Sequence, residues 1–210
     1  MKTRFKFFTL VFALFAFVAC SEDDEGPQLD PVESSTASNI PAPQVGGQGQ
    51  GEISGEFTRF SFATGAVTSS ATEWDLAFRG TTVAVNGGSA TGTNDEPGRT
   101  GNGGASVVDG TFASVTSADG LSFAQDADGA FAIPTGSDNG WYNYNFMTNV
   151  VSAIPGKVFV IRTHDGKYAK VEFLSYYENA PANPDGFADT PRFYTFNYVY
   201  NPNEGETSLQ

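Results

Sequence analysis

The chain has 210 residues, of which 40% are hydrophobic, and a formal net charge of −13. That length is enough for one domain with a sizeable core. The acidic balance argues against a nucleic-acid partner and against docking on anionic lipid through a basic patch, because both need clustered cations.

Residues 1–20 read as a leader rather than part of the fold. Lys2, Arg4 and Lys6 make a basic start, and Phe7 to Val18 is apolar apart from Thr9. The run ends at Ala19-Cys20, and Cys20 is the only cysteine. This is the pattern of a bacterial lipoprotein signal peptide with Cys20 as the lipidated residue, although Phe17 stands where Leu is commoner. A diacylglyceryl group plus an amide-linked acyl chain exceeds the two-chain threshold for stable anchoring. Without the leader, 8 basic residues face 24 acidic ones, a net charge of −16. With no second cysteine the mature fold has no intrachain disulfide, so core burial must hold it.

Residues 21–54 read as a tether. An acidic run, Ser21 to Glu25, is followed by Pro, Gly and Gln in PAPQVGGQGQGE, with too few apolar residues to repay ordering. The domain is expected over 55–210. Glu73–Phe78, EWDLAF, is a compact strand, and Thr81–Val85 reads as the next. Gly87–Gly104 holds seven glycines in eighteen residues and is expected to be a flexible loop, with a ligand-gating role as the alternative. Thr111–Thr116 fits a short helix or a strand. Trp141–Asn145 alternates aromatic residues with Asn, and continued alternation puts Tyr142, Tyr144 and Phe146 on one face and Trp141 with Met147 on the other. Val158–Thr163 and Lys167–Tyr177 are hairpin arms around Asp165-Gly166, a pair suited to a type I′ turn. Phe193–Tyr200 is the last strand, with Tyr194, Phe196, Tyr198 and Tyr200 sharing a face. The class is all-β, mostly antiparallel, in a single domain.

Little classical chemistry can be assembled from these residues. His164 is the only histidine and reads as an exposed turn residue, with metal or haem ligation as the alternative. Asp75 and Glu172 sit in strand patterns that alternation explains, and the Asp126/Asp128 and Asp185/Asp189 loops lack the twelve-residue calcium pattern. No nucleophile–base set emerges, so the expectation is a binding protein rather than an enzyme. Trp141, Tyr142, Tyr144 and Phe146, followed by Met147, form either a core stripe or the wall of a porphyrin pocket. In the second case rings stack on the macrocycle and the soft sulfur reaches its iron.

EWDLAF (73–78), GWYNYN (140–145), IPGKVFVIRTHDGKYAKVEFLSYY (154–177) and FYTFNYVYNP (193–202) together resemble the HmuY family of Bacteroidetes surface lipoproteins. The acidic run after Cys20 likewise resembles the export tags of lipoproteins in that phylum. The resemblance implies an all-β haem-binding protein that is lipid-anchored at the outer membrane, takes part in iron acquisition and delivers haem to a TonB-dependent receptor. It also implies a departure. Where histidine-type members carry an axial histidine after the Trp-Tyr segment, this chain has Asn149, with Met147 two residues earlier. The region expected to hold a second ligand, Gly110–Phe131, contains no His, Met or Cys. The implied site is therefore not bis-histidine. Met147 is the candidate iron ligand, with Trp141, Tyr142 and Tyr144 around the haem, or else the site is degenerate. The alternative is a non-haem binding module on the same scaffold, for another tetrapyrrole, a glycan or a protein partner.

Overall fold

The computed structural model describes residues 28–210. The leader, Cys20 and the acidic run at 21–25 lie outside the described residues. The all-β expectation holds: among the described residues eleven strands form three sheets, every paired strand is antiparallel, and the one helical element is a 3-10 turn at Phe112–Ser114.

The five-stranded sheet contains β1 (Glu33–Pro41), β6 (Gly104–Asp109), β9 (Lys157–Arg162), β10 (Tyr168–Tyr177) and β11 (Pro191–Asn201), in the order β1-β11-β10-β9-β6. The four-stranded sheet contains β2 (Thr58–Ser61), β3 (Ala66–Thr68), β4 (Leu76–Arg79) and β5 (Thr82–Val85), in the order β3-β2-β4-β5. The two pack face to face as a sandwich, and one continuous core lies between them. As the period-2 pattern predicts, Tyr194, Phe196, Tyr198 and Tyr200 of β11 all enter that core. They meet Phe60, Phe62 and Phe78 of the opposite sheet at ring-centroid distances such as 5.3 Å for Phe60–Phe196 and 4.7 Å for Phe78–Tyr194. Each such pair adds about 0.5–1.5 kcal/mol beyond simple area burial.

The outer face of the five-stranded sheet is covered as well. Val158 and Val160 pack with Val115, Ala118 and Leu209. Lys170 is buried there, and its Nζ donates to the carbonyls of Phe112 (2.8 Å) and Val115 (2.7 Å). Thr111–Thr116, open between helix and strand in the sequence, contains the 3-10 turn Phe112–Ser114, which this ammonium holds down. Burial pulls the Lys170 pKa below its ordinary value.

Three expectations are corrected. The hairpin turn between β9 and β10 is not type I′, because only Gly166 has positive φ (+89°) and Asp165 does not. The Gly166 amide bonds Thr163 O and the Thr163 amide bonds Lys167 O, so the loop is a tight turn closed by a left-handed glycine.

Gly87–Gly104 is clamped rather than slack. The buried side chain of Asn86 accepts from the amides of Thr100 and Gly101 and donates to the carbonyls of Thr72 and Trp74. Arg99 meets Asp126 at 2.8 Å with both side chains almost wholly buried. Composition suggested flexibility, but the glycines serve close approach: a Cβ on Gly87 would lie 2.0 Å from Gly103 O.

Glu33–Pro41, read as tether, is the edge strand β1, in register with β11 from Glu33↔Tyr200 to Pro41↔Phe193. Only Ala37 and Ile40 of β1 are buried. An apolar count therefore misses a strand held mainly by the backbone groups of its neighbour. The following segment also folds, through a Val45↔Ser54 bridge. A chain started at Ala42 is expected to lose at least about 2 kcal/mol of unfolding free energy, the burial of Ile40 alone. Urea unfolding against a chain started at Gln28 measures this, and equal midpoints would show that β1 adds nothing.

Candidate functional site

The third sheet is a hairpin of β7 (Tyr142–Asn145) and β8 (Val150–Ala153), paired Tyr142↔Ala153 through Asn145↔Val150. It stands over the end of β10 and the start of β11. Between them, and against the 44–53 turn, lies a cleft of about 510 Å³. Its walls include Gln44, Ile53, Tyr142, Tyr144, Tyr177 and Arg192. The size falls within the range of about 300–1,000 Å³ usual for small-molecule sites.

The candidate residues divide by position. Trp141 is 1% exposed and does not line the cleft. Its Nε1 donates to Thr81 O at 2.9 Å, and its ring packs 5.0 Å from Tyr194 and 5.1 Å from Phe173. It roots the hairpin in the core. Tyr142 and Tyr144 do line the cleft, on one face as the alternation predicts. Phe146 does not continue that face, because β7 ends at Asn145 and the chain turns. Asn145 Oδ1 accepts from the amides of Met147 (3.0 Å) and Thr148 (3.3 Å), the self-capping that Asn supplies in turns. Phe146 and Met147 stand at the hairpin tip, 81% and 77% exposed. The nearby 181–190 loop adds Phe187, 78% exposed.

Asn149, at the place where the resemblance put a histidine, is a bonding hub. It sits at φ +56°, a conformation Asn tolerates. Its Oδ1 accepts from the Tyr144 hydroxyl at 2.8 Å and its Nδ2 donates to Gly186 O at 2.7 Å. The Gly186 position is sterically closed to other residues, since a Cβ there would lie 2.3 Å from Asn149 O. The Tyr177 hydroxyl accepts from the Val151 amide at 3.0 Å and ties the hairpin to β10. Sequence reading missed Asn149 as a hub, Tyr177, Arg192 and the whole 44–53 wall. The one available signal was Asn149 itself, an Asn within a predicted turn. Burial raises the phenol pKa values of Tyr176 and Tyr177, so the cleft presents neutral hydroxyls.

His164 lies elsewhere. It precedes β10, whereas Tyr177 ends it, and a ten-residue strand spans about 30 Å. His164 therefore shares no ligand geometry with the cleft. It is a turn residue, as expected, but half-buried rather than exposed. Its Nδ1 lies 2.8 Å from Asp75 Oδ1, and the same oxygen accepts its backbone amide at 3.0 Å. Asp75 Oδ2 accepts the Phe62 amide at 2.8 Å, so this buried carboxylate pins the turn to the four-stranded sheet. That is a structural account of Asp75. Asp75, His164 and Asp165 bring their donor atoms within 4.8 Å of one another. Asp165 is nonetheless already matched by Thr163 and by the Lys167 ammonium at 2.9 Å.

Fold and cleft together define an antiparallel β-sandwich protein with an aromatic side cleft. The chain belongs to the HmuY protein family, whose model matches residues 55–198. Similar solved structures include the apo HmuY analogue of Tannerella forsythia, with 13% identity, TM-score 0.49, and coverage of 83% of this chain and 99% of that one. A second is a protein of Bacteroides vulgatus described as a candidate HmuY-like haem-binding protein, with 16% identity, TM-score 0.45, and coverage of 82% and 93%. A third is a candidate lipoprotein of Bacteroides fragilis, with 16% identity, TM-score 0.43, and coverage of 82% and 90%. No curated protein matches the chain.

Two predictions follow from these geometries. Tyr177→Phe strands the Val151 amide and is expected to cost about 1 kcal/mol. Faster hydrogen exchange at Val151 reports it, and unchanged exchange would show that the hydroxyl is no clamp. The hydrogen bond to Asp75 raises the His164 pKa above 6.5. Its stabilisation is therefore full below pH 6.5 and is lost as pH rises through the raised folded value. The stability gap between the native protein and His164→Gln should shrink over that window in urea titrations. A gap that grows with pH would reverse the assignment.

Proposed function

We propose that this protein is a surface lipoprotein, anchored at the outer membrane through Cys20, that binds haem in the cleft and delivers it to a TonB-dependent receptor. Membership of the HmuY family supports the haem-binding class of function. The observation that carries the site is the pairing of a tyrosine-walled cleft with a solvent-facing thioether. Tyr142 and Tyr144 line the cleft, and Met147 stands two residues from Asn149, which also lines it. Flat aromatic faces stack on a macrocycle, and a soft sulfur suits ferrous haem iron. Trp141 supports this wall from beneath. With His164 at the far end of β10, Met147 is the soft side chain that the hairpin brings nearest to the cleft's Asn149 in sequence.

A second reading has its own support. Gln44, Gln48 and Gln50 line the same cleft as the tyrosines, a mixture of residue types that also suits a glycan.

Titration of the mature chain with ferrous and ferric haem is expected to shift the Soret band. Met147→Ala should weaken ferrous binding at least tenfold, the loss of about 1.4 kcal/mol of ligation. Unchanged spectra in both redox states at micromolar protein would reject haem. Calorimetric binding of a glycan under those conditions would establish the second reading.

A further inference from the structure

Among the described residues, Arg192 is the one charged side chain that lines the cleft, and no carboxylate lines it. The contrast with the rest of the chain is large, since 24 acidic residues outnumber 11 basic ones. Arg192 Nη1 donates to Gln44 O at 2.7 Å, and the guanidinium lies beside the Tyr176 hydroxyl. Among the described residues no carboxylate pairs with it. A guanidinium has five N–H donors in a planar fork that matches a carboxylate. Gln44 O takes one of them, the Tyr176 hydroxyl lies beside the fork, and among the described residues no carboxylate takes the rest.

The backbone at Arg192 adds an independent observation. Its φ is +73°, the left-handed region, which a long side chain rarely occupies. The register with β10 runs from Tyr177↔Pro191 to Ser175↔Thr195, so β11 carries two extra residues across this step. The strain is locked from the other side, where the Ala42 amide donates to Arg192 O at 2.8 Å. Bulges and left-handed residues that re-aim a side chain concentrate at functional sites. Here the re-aimed side chain is the cleft's single cation.

We propose that Arg192 is the carboxylate-recognising residue of this cleft, selecting ligands that carry an acid group, which in a porphyrin is a propionate. This rests on the haem-binding reading and adds the specificity element to it. Gln44, from the folded-back segment before β2, and Tyr176 are positioning residues that hold the guanidinium.

The test compares iron protoporphyrin IX with its dimethyl ester on the mature chain and on Arg192→Asn and Arg192→Lys. Asn tolerates positive φ, so the first variant is compatible with the fold. The native comparison of acid with ester needs no variant at all. The native protein is expected to bind the diacid at least tenfold more tightly than the ester. Arg192→Asn should weaken diacid binding about tenfold to a hundredfold, the size of one charge-assisted contact, and leave ester binding unchanged. Arg192→Lys should fall between. Equal native affinity for acid and ester, or equal loss of both in Arg192→Asn, would overturn the role of Arg192 while leaving haem binding intact. If the native protein binds neither compound, the haem reading falls and takes this inference with it.

Discussion

The structure depends on one aromatic seam. Strand β11 lays Tyr194, Phe196, Tyr198 and Tyr200 into the space between the sheets, where they meet Phe60, Phe62, Phe78 and Phe173. Large rings in edge and tilted contact fill that space with few rotatable bonds, so burial is large and side-chain entropy loss small. The same strand hydrogen-bonds β10 on one side and β1 on the other. With no disulfide available, this seam is where the two sheets become one domain.

The cleft is a consequence of how that seam ends. At its start, β11 departs from regular pairing and turns Arg192 out of the ladder. Trp141, packed on Tyr194, carries the core outward and roots the β7–β8 hairpin beside this irregularity. Tyr177 and Asn149 then bond the hairpin to β10 and to the 181–190 loop. The hairpin thus lends Tyr142, Tyr144 and Asn149 to the cleft wall, while Phe146 and Met147 at its tip are exposed and do not line the cleft.

Much of the strand content was legible because half-buried strands leave a period-2 signature. The face of β11, the hairpin arms and EWDLAF all followed from it, and the family resemblance rested on the same segments. Alternation misled at Phe146, since a pattern cannot tell a strand's continuation from its turn. Composition misled twice. Glu33–Pro41 has few apolar residues because an edge strand draws on its neighbour's backbone groups, and Gly87–Gly104 is rich in glycine because chains pass close together there.

The sequence by itself determined the class, the strand faces, the presence of one histidine and one candidate thioether, and so the impossibility of a bis-histidine site. Those are properties of residue type and local periodicity. Only the tertiary structure decided that Trp141 is foundation rather than wall, that Asn149 and Tyr177 fasten the hairpin, that the 44–53 segment closes the cleft and that Arg192 is its lone charge. Each of these joins positions far apart in the chain, and the pairing that brings them together is set by packing across sheets, which no local pattern records.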